Sequence, residues 1–305
     1  MTAPLRRLGF IGIGNMGWPM AANLLKAGFD VTVADARPGR AAQFAREIGG
    51  RAAQDAADAA QNADAVITIL PTSAEVAEVV AAIKPGLAPG ALVIEMSSGA
   101  PGVTKTLAEG LAAGGVALID APVSGGVPRA RSGELAILAG GETAALDRAG
   151  PALRAMGTSI HHCGAVGAGQ AMKALNNLVS AGGFLIGIEA LLIGQKFGLD
   201  PALMVDVLNA STGMNNSTQK KFKQFVLSRR FDAGFGLDLM AKDLSIALEI
   251  GRQSAAPAPF AALCREMWAS AAAVLGPGQD HTALARFSEQ LAGTTLGAAE
   301  KGREG

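Results

Sequence analysis

The stretch "LGFIGIGNMGWPMAANLLKAGFDVTVAD", residues 8–35, constrains this chain more than any other. An apolar run from Leu8 to Ile13 leads into glycines at 12, 14 and 17. An amphipathic run then extends from Met16 to Lys26, and Gly28 is placed to end it as a helix. A second apolar run, Phe29 to Ala34, stops at Asp35. Gly12 suits a tight turn, Gly14 leaves room for a pyrophosphate against the backbone, and Gly17 lets helix and strand pack closely. The helix N-terminus faces the phosphate charge.

Glycine is abundant here, at 40 residues, so the G-x-G-x-x-G spacing alone says little. A strand before it, a helix after it and an acid 18 residues beyond Gly17 turn it into a dinucleotide site. Gly12, Ile13, Gly14, Asn15, Met16 and Gly17 are therefore the expected phosphate turn. A carboxylate at Asp35 accepts hydrogen bonds from the adenosine ribose hydroxyls and repels a 2′-phosphate, which favours NAD. Arg37, two residues on, keeps NADP possible.

Further units follow the same alternation. "ADAVITILP" reads as a buried strand ending at Pro71, and "ALVIEMSS" as another ending at Ser97 and Ser98. "GVALIDAPVSGG" reads as a third, and "GELAILAGG" as a strand at the sheet edge. Helical runs separate most of them, as a parallel doubly wound sheet requires. Ligands of such sheets lie beyond the strand C-termini, where Leu70, Pro71, Ser98 and Ser124 fall.

After "TSIHHCG" the strand pattern stops and helical spacing takes over. Asp200 and Pro201 mark one helix start. The predicted fold is α/β, with a Rossmann-type sheet domain over residues 1–165. An all-helical domain over residues 166–305 is joined to it by a long helix.

Composition narrows the partners. The 305 residues carry 26 basic and 26 acidic side chains, so there is no electrostatic footprint for nucleic acid or an anionic membrane. Two cysteines, Cys163 and Cys264, make neither a disulfide framework nor a zinc set. His161 and His162 point to opposite faces of a strand and His281 stands alone, so no metal is expected. The N-terminus runs straight into a strand without a signal peptide's apolar segment, which suggests a cytoplasmic protein. The run ALNNLVSAGGFLIGIEALLIGQ has the length of a membrane span, but asparagines, Glu189 and glycines dilute it. It reads as a helix buried in the protein or at a subunit interface.

That run is preceded by Lys173. On a helix, Lys173 shares a face with Asn176, Asn177 and Ser180, giving a polar stripe on an apolar rod. Buried unpaired, such groups would cost about 1–3 kcal/mol each, so something polar must meet them. Burial disfavours an ammonium, which suits a lysine to proton transfer with a substrate hydroxyl. A lysine snorkelling to solvent is the other reading of the same stripe.

Four segments in order, "GFIGIGNMGWPMAANLLKAG", "DAPVSGGVPRARSGELAILAGG", "GAGQAMKALNN" and "MAKDLSIALEIG", make the chain resemble the β-hydroxyacid dehydrogenase family along its whole length. The resemblance implies hydride transfer between a short 3-hydroxycarboxylate and NAD, with Lys173 as general acid/base. It implies that Asn177 and the loop Ser124, Gly125 and Gly126 bind substrate, that Ser98 lies near the nicotinamide, and that Lys242 lies at the cofactor edge. It also implies a homodimer or homotetramer. Asn215 and Asn216 stand where the family often has an aromatic residue, either to bind a more polar substrate or to cap a helix near Ser217. Phe231 and Phe235 are expected in the core. The same features leave open a reductase of a small aldehyde acid. An imine reductase is a more distant alternative, disfavoured by Lys173 and Asp35.

Overall fold

A computed structural model describes residues 4–297. In chain order its elements are β1 (Arg7–Ile11), α1 (Gly17–Lys26), β2 (Asp30–Ala34), α2 (Arg40–Glu47), β3 (Arg51–Ala52), α3 (Ala56–Ala60), β4 (Ala65–Thr68) and α4 (Ser73–Ile83). There follow β5 (Leu92–Glu95), α5 (Pro101–Ala112), β6 (Ala117–Asp120), β7 (Val123–Ser124), α6 (Gly126–Ser132), β8 (Leu135–Gly140), α7 (Thr143–Met156) and β9 (Gly157–Gly164). The rest is helical: α8 (Ala168–Phe197), α9 (Pro201–Asn209), α10 (Asn216–Lys220), α11 (Leu237–Gln253), α12 (Pro259–Leu275) and α13 (Leu284–Ala292). Two compact units result, one running to Lys173 and one starting at Ala174. Helix α8 carries the chain from the first into the second.

In the first unit, strands β3-β2-β1-β4-β5-β6 run parallel. The order reverses between β1 and β4, the switch point where such sheets bind ligands. Alternation along the strands builds two layers. Leu8, Phe10, Ile67, Leu92 and Ile94 join one cluster with α1, while Ile11, Val66 and Val93 join the other with α4.

The edge of the sheet differs from the sequence reading. "GVALIDAPVSGG" breaks at Pro122 into β6 and the two-residue β7, because proline offers no N–H to a ladder. Strand β8 is interior instead of at the edge: it runs antiparallel to β6 and β7 on one side and parallel to β9 on the other. Periodicity marks a strand but is silent on its partners.

The second unit is built around the rest of α8, whose Phe184, Ile188 and Leu191 pack with Phe222, Leu244, Trp268 and Leu284. Gly187 is required there, since a Cβ would lie 2.6 Å from the Phe222 ring. Asp200 caps α9 and Pro201 opens it. Asn215 caps α10 through Ser217 and Thr218, completing a capping box. Its amide also reaches the Gly183 carbonyl at 3.4 Å, which assigns Asn215 a structural use. Phe231 and Phe235 pack against this core. Helix α8 is long and apolar enough to cross a membrane by composition, but just over half of its most apolar window is buried in the protein.

Candidate active site

The turn after β1 is shaped by contacts that exclude side chains. Gly12 has φ of 96°, and a Cβ there would lie 2.3 Å from the Ile69 carbonyl oxygen. A Cβ on Gly17 would fall 1.9 Å from the Gly12 carbonyl oxygen. At Gly14 the nearest atom is an Arg37 nitrogen at 3.9 Å, so the backbone face is open to a ligand. The Ile13 N–H donates to Asp35 Oδ2 at 2.9 Å, tying the turn to the end of β2. Arg37 donates to the same carboxylate from its backbone N–H, Nε and Nη2, and Nη2 also reaches the Ile13 carbonyl at 3.2 Å. Burial opposes ionisation of Asp35, but the Arg37 guanidinium and N–H groups hold its carboxyl below the usual range. Arg40 stacks over the Trp18 ring at 4.0 Å and donates to the Ile13 carbonyl. Open glycine backbone, a helix N-terminus and an acid at the second strand fit a dinucleotide.

A buried polar network closes the neighbouring strand ends. The Leu70 N–H donates to Ser97 Oγ at 2.8 Å, and the Ser97 N–H to Glu95 Oε1 at 2.7 Å. Gln170, in the first turn of α8, donates from Nε2 to the other Glu95 oxygen and to the Ser97 carbonyl. Its Oε1 accepts the Gly99 N–H at 2.8 Å. Asp120, at the end of β6, accepts the Gly167 and Gln170 N–H groups at 2.7 and 2.8 Å and so caps α8. A Cβ on Gly169 would sit 2.2 Å from the Leu138 carbonyl oxygen, so only glycine lets the helix start this close to β8. Burial pushes Glu95 up to about 7, against the hydrogen bonds of Ser97 and with the help of Asp120. Burial raises Asp120 as well, against its N–H donors. Gly12 abuts Leu70, and Gly99 abuts Ser73 and Gln170, so the loops carrying Leu70, Pro71 and Ser98 are held beside the glycine turn and the root of α8.

Lys173 lies one turn past Gln170 and is 9% exposed. Ser124 ends β7, and Gly125 and Gly126 follow with φ of 132° and 69°, a backbone path closed to other residues without strain. In the second unit, Asn177 is buried and its Nδ2 donates to Asp243 Oδ2 at 2.6 Å. Lys242 pairs with the same Asp243 at 3.4 Å. Asn176 is exposed and donates to Asn177 Oδ1, so it braces the stripe from outside. His281 is a core residue, stacked on Trp268 and kept neutral chiefly by burial. Among the described residues no three His, Cys, Asp or Glu side chains group as metal ligands.

The sheet order, the glycine turn and the acid at the end of β2 define a dinucleotide-dependent enzyme of the doubly wound class. Comparison with known proteins places it more closely. The family described as "NAD binding domain of 6-phosphogluconate dehydrogenase" matches residues 7–164, and "NAD-binding of NADP-dependent 3-hydroxyisobutyrate dehydrogenase" matches residues 167–288. The 2-(hydroxymethyl)glutarate dehydrogenase of Eubacterium barkeri is 33% identical over 95% of this chain and 97% of its own. The 3-hydroxyisobutyrate dehydrogenase of Pseudomonas aeruginosa is 40% identical over 86% and 90%. The structure of Mycobacterium tuberculosis 3-hydroxyisobutyrate dehydrogenase with L-serine superposes with a TM-score of 0.86, at 33% identity over 94% of this chain and 99% of that one. The chain belongs to the β-hydroxyacid dehydrogenase family and is an oxidoreductase that uses NAD or NADP.

Several partners were missed in the sequence. Glu95, Asp120, Gln170 and Asp243 all sit inside or beside the motifs, but their role depends on strands and helices brought together from distant positions. A signal was present: each is an ionisable or amide group within an otherwise buried run.

Proposed function

We propose that this enzyme oxidises a short 3-hydroxycarboxylate to the matching semialdehyde or 3-oxo acid, with Lys173 as the general base. The observation that carries the reading is a buried lysine on α8, one turn before an asparagine fixed by Asp243. Lys173 Nζ takes the hydroxyl proton, and in the reverse direction returns it to the carbonyl oxygen. When bound, NAD supplies the hydride acceptor. Asn177, oriented by Asp243, hydrogen-bonds the reacting oxygen. Ser124, Gly125 and Gly126 hold the substrate carboxylate with a hydroxyl and N–H groups, which the positive φ of both glycines helps to converge. Gly12 to Gly17 take the pyrophosphate, Asp35 the adenosine ribose, and Leu70, Pro71, Ser98 and Lys242 the nicotinamide end. The same residues serve a reductase of a small aldehyde acid, since each step is reversible.

The protein works as a cytoplasmic homo-oligomer in this reading. Val179, Ile186 and Ile193 recur every seven residues on α8 and are all exposed, an apolar stripe that a second copy would cover. Initial rates with 3-hydroxyisobutyrate, 3-hydroxypropionate, glycerate, serine and threonate, each with NAD and with NADP, test the activity. Oxidation of at least one 3-hydroxy acid is expected; none oxidised by either cofactor rejects it.

A further inference from the structure

Gln170 is buried at the root of α8, and both ends of its amide are in use. Nε2 donates to the Glu95 carboxylate and to the Ser97 carbonyl, while Oε1 accepts the Gly99 N–H. The loop 97–100 is gripped from its other side as well. Ser73 Oγ, at the start of α4, accepts the Ala100 N–H at 2.8 Å, and Ser97 Oγ accepts the Leu70 N–H. Gly99 has no room for a side chain in this grip, since a Cβ would lie 2.7 Å from Ser73 Oγ. Asp120 meanwhile accepts the Gly167 and Gln170 N–H groups, and Gly169 seats the helix against Leu138. All of these residues, and Lys173 with them, belong to the first unit. Gln170 and Lys173 stand three residues apart on α8 and so share a face. One buried amide therefore joins the helical face of Lys173 to the loop that carries Ser98 and, through Ser97, to the loop that carries Leu70 and Pro71.

We propose that Gln170 is a positioning residue that sets Lys173 against the strand-end loops, so that base and hydride acceptor meet the substrate in one geometry. The inference rests on the reading of Lys173 as the base at the substrate hydroxyl. The amide touches neither substrate nor cofactor, so it acts through Lys173 and the Ser98 loop. A base must stand within about 3 Å of the hydroxyl while the neighbouring carbon faces the nicotinamide. A displacement of about 1 Å costs on the order of 10²-fold in rate. An apolar side chain of similar length fills the same space but cuts the helix from the loop. It leaves the Glu95 carboxylate and the Gly99 N–H without this partner.

The test compares full-length Gln170→Met and Gln170→Glu with the wild type, using the fastest 3-hydroxy acid of the panel above. A single-turnover experiment reads the rate at which bound cofactor is reduced, titration reads cofactor affinity, and melting reads the fold. Gln170→Met is expected to slow reduction roughly 10- to 100-fold, with cofactor affinity within about twofold of the wild type. Gln170→Glu keeps the shape, but its carboxyl faces Glu95, with Asp120 close by. It replaces the amide donor only when protonated, so its rate relative to the wild type should be higher at about pH 6 than at about pH 9. This comparison decides the matter if Gln170→Met does not fold. A merely structural amide would lower the melting temperature of both variants and leave the rate of the folded enzyme at the wild-type value at either pH, which overturns the proposal. A loss of cofactor affinity as large as the loss of rate also overturns it. If Lys173→Ala is inactive while Gln170→Met reduces cofactor at the wild-type rate, only the role of Gln170 falls. If Lys173→Ala keeps its turnover, or if no acid of the panel is oxidised with NAD or NADP, the underlying reading fails and this inference falls with it.

Discussion

Gln170 Nε2 donates at once to the Glu95 carboxylate and to the Ser97 carbonyl, while its Oε1 accepts the Gly99 N–H. One amide thus links the first turn of α8 to the loop after β5, three residues before Lys173. Because helix and loop share a buried partner, the position of Lys173 is coupled to the strand ends by hydrogen bonds as well as by packing. Fully satisfied networks of this kind rigidify, and a half-satisfied one is costly.

This link makes stability depend on pH in a stated direction. Glu95 titrates at about 7 in the fold, against 4.5 for an ordinary glutamate. The folded state therefore holds this proton more tightly than the unfolded chain. Its stabilising contribution is full below about pH 4.5, falls as pH rises, and is lost above about 7. Asp120, raised by the same burial, acts in the same sense. Urea unfolding at pH 5 and pH 8 should show Glu95→Gln losing less stability over this interval than the wild type, by on the order of 2–3 kcal/mol. Parallel pH profiles for the two proteins would count against a titrating Glu95.

Lys173→Ala should lower turnover by roughly 10²- to 10⁴-fold, the usual worth of a positioned acid/base. NAD affinity, read from fluorescence or calorimetry, should hold, since the substitution leaves the proposed dinucleotide contacts of the glycine turn and Asp35 intact. Turnover close to wild type would remove Lys173 from the chemistry.

Asp35 and Arg37 predict a cofactor preference that can be inverted. The guanidinium is engaged by the carboxylate through Nε at 2.8 Å and Nη2 at 3.1 Å. With Asp35 in place a 2′-phosphate meets a negative group, so NAD should give the higher kcat/KM. Asp35→Ser removes that charge and releases Arg37 to pair with phosphate, and the NADP/NAD ratio should rise by about tenfold or more. An unchanged ratio would show that the choice is made elsewhere.

Ile186→Glu probes the exposed stripe of α8. Placing a carboxylate in an apolar interface costs several kcal/mol unless it is paired. Light scattering should find the wild type as an oligomer and the variant as a smaller species with an unchanged circular dichroism spectrum. An identical mass for both would move the interface to another face.

Much of this enzyme was legible in its residues. Gly12 and Gly17 stand where a Cβ would strike backbone, and with Gly14 and Asp35 they complete the spacing expected of a nucleotide turn. Strand and helix periods declare the two halves, and Lys173, Asn177 and Ser180 share a face by helical arithmetic alone. Asn215 was different: its side chain suits a cap or a ligand equally well in the sequence, and the structure shows it capping α10.

Local information stops where partners are distant in the chain. The interior place of β8, the pairing of Asn177 with Asp243 and the meeting of Lys221 with Ser180 join residues 12 to 66 positions apart. Period and propensity describe what one segment wants, which is how the sequence by itself determined the elements, the glycine turn and the polar stripe. Only the tertiary structure decided which buried donor finds which acceptor, because that choice is made by packing whole elements and not by any one of them.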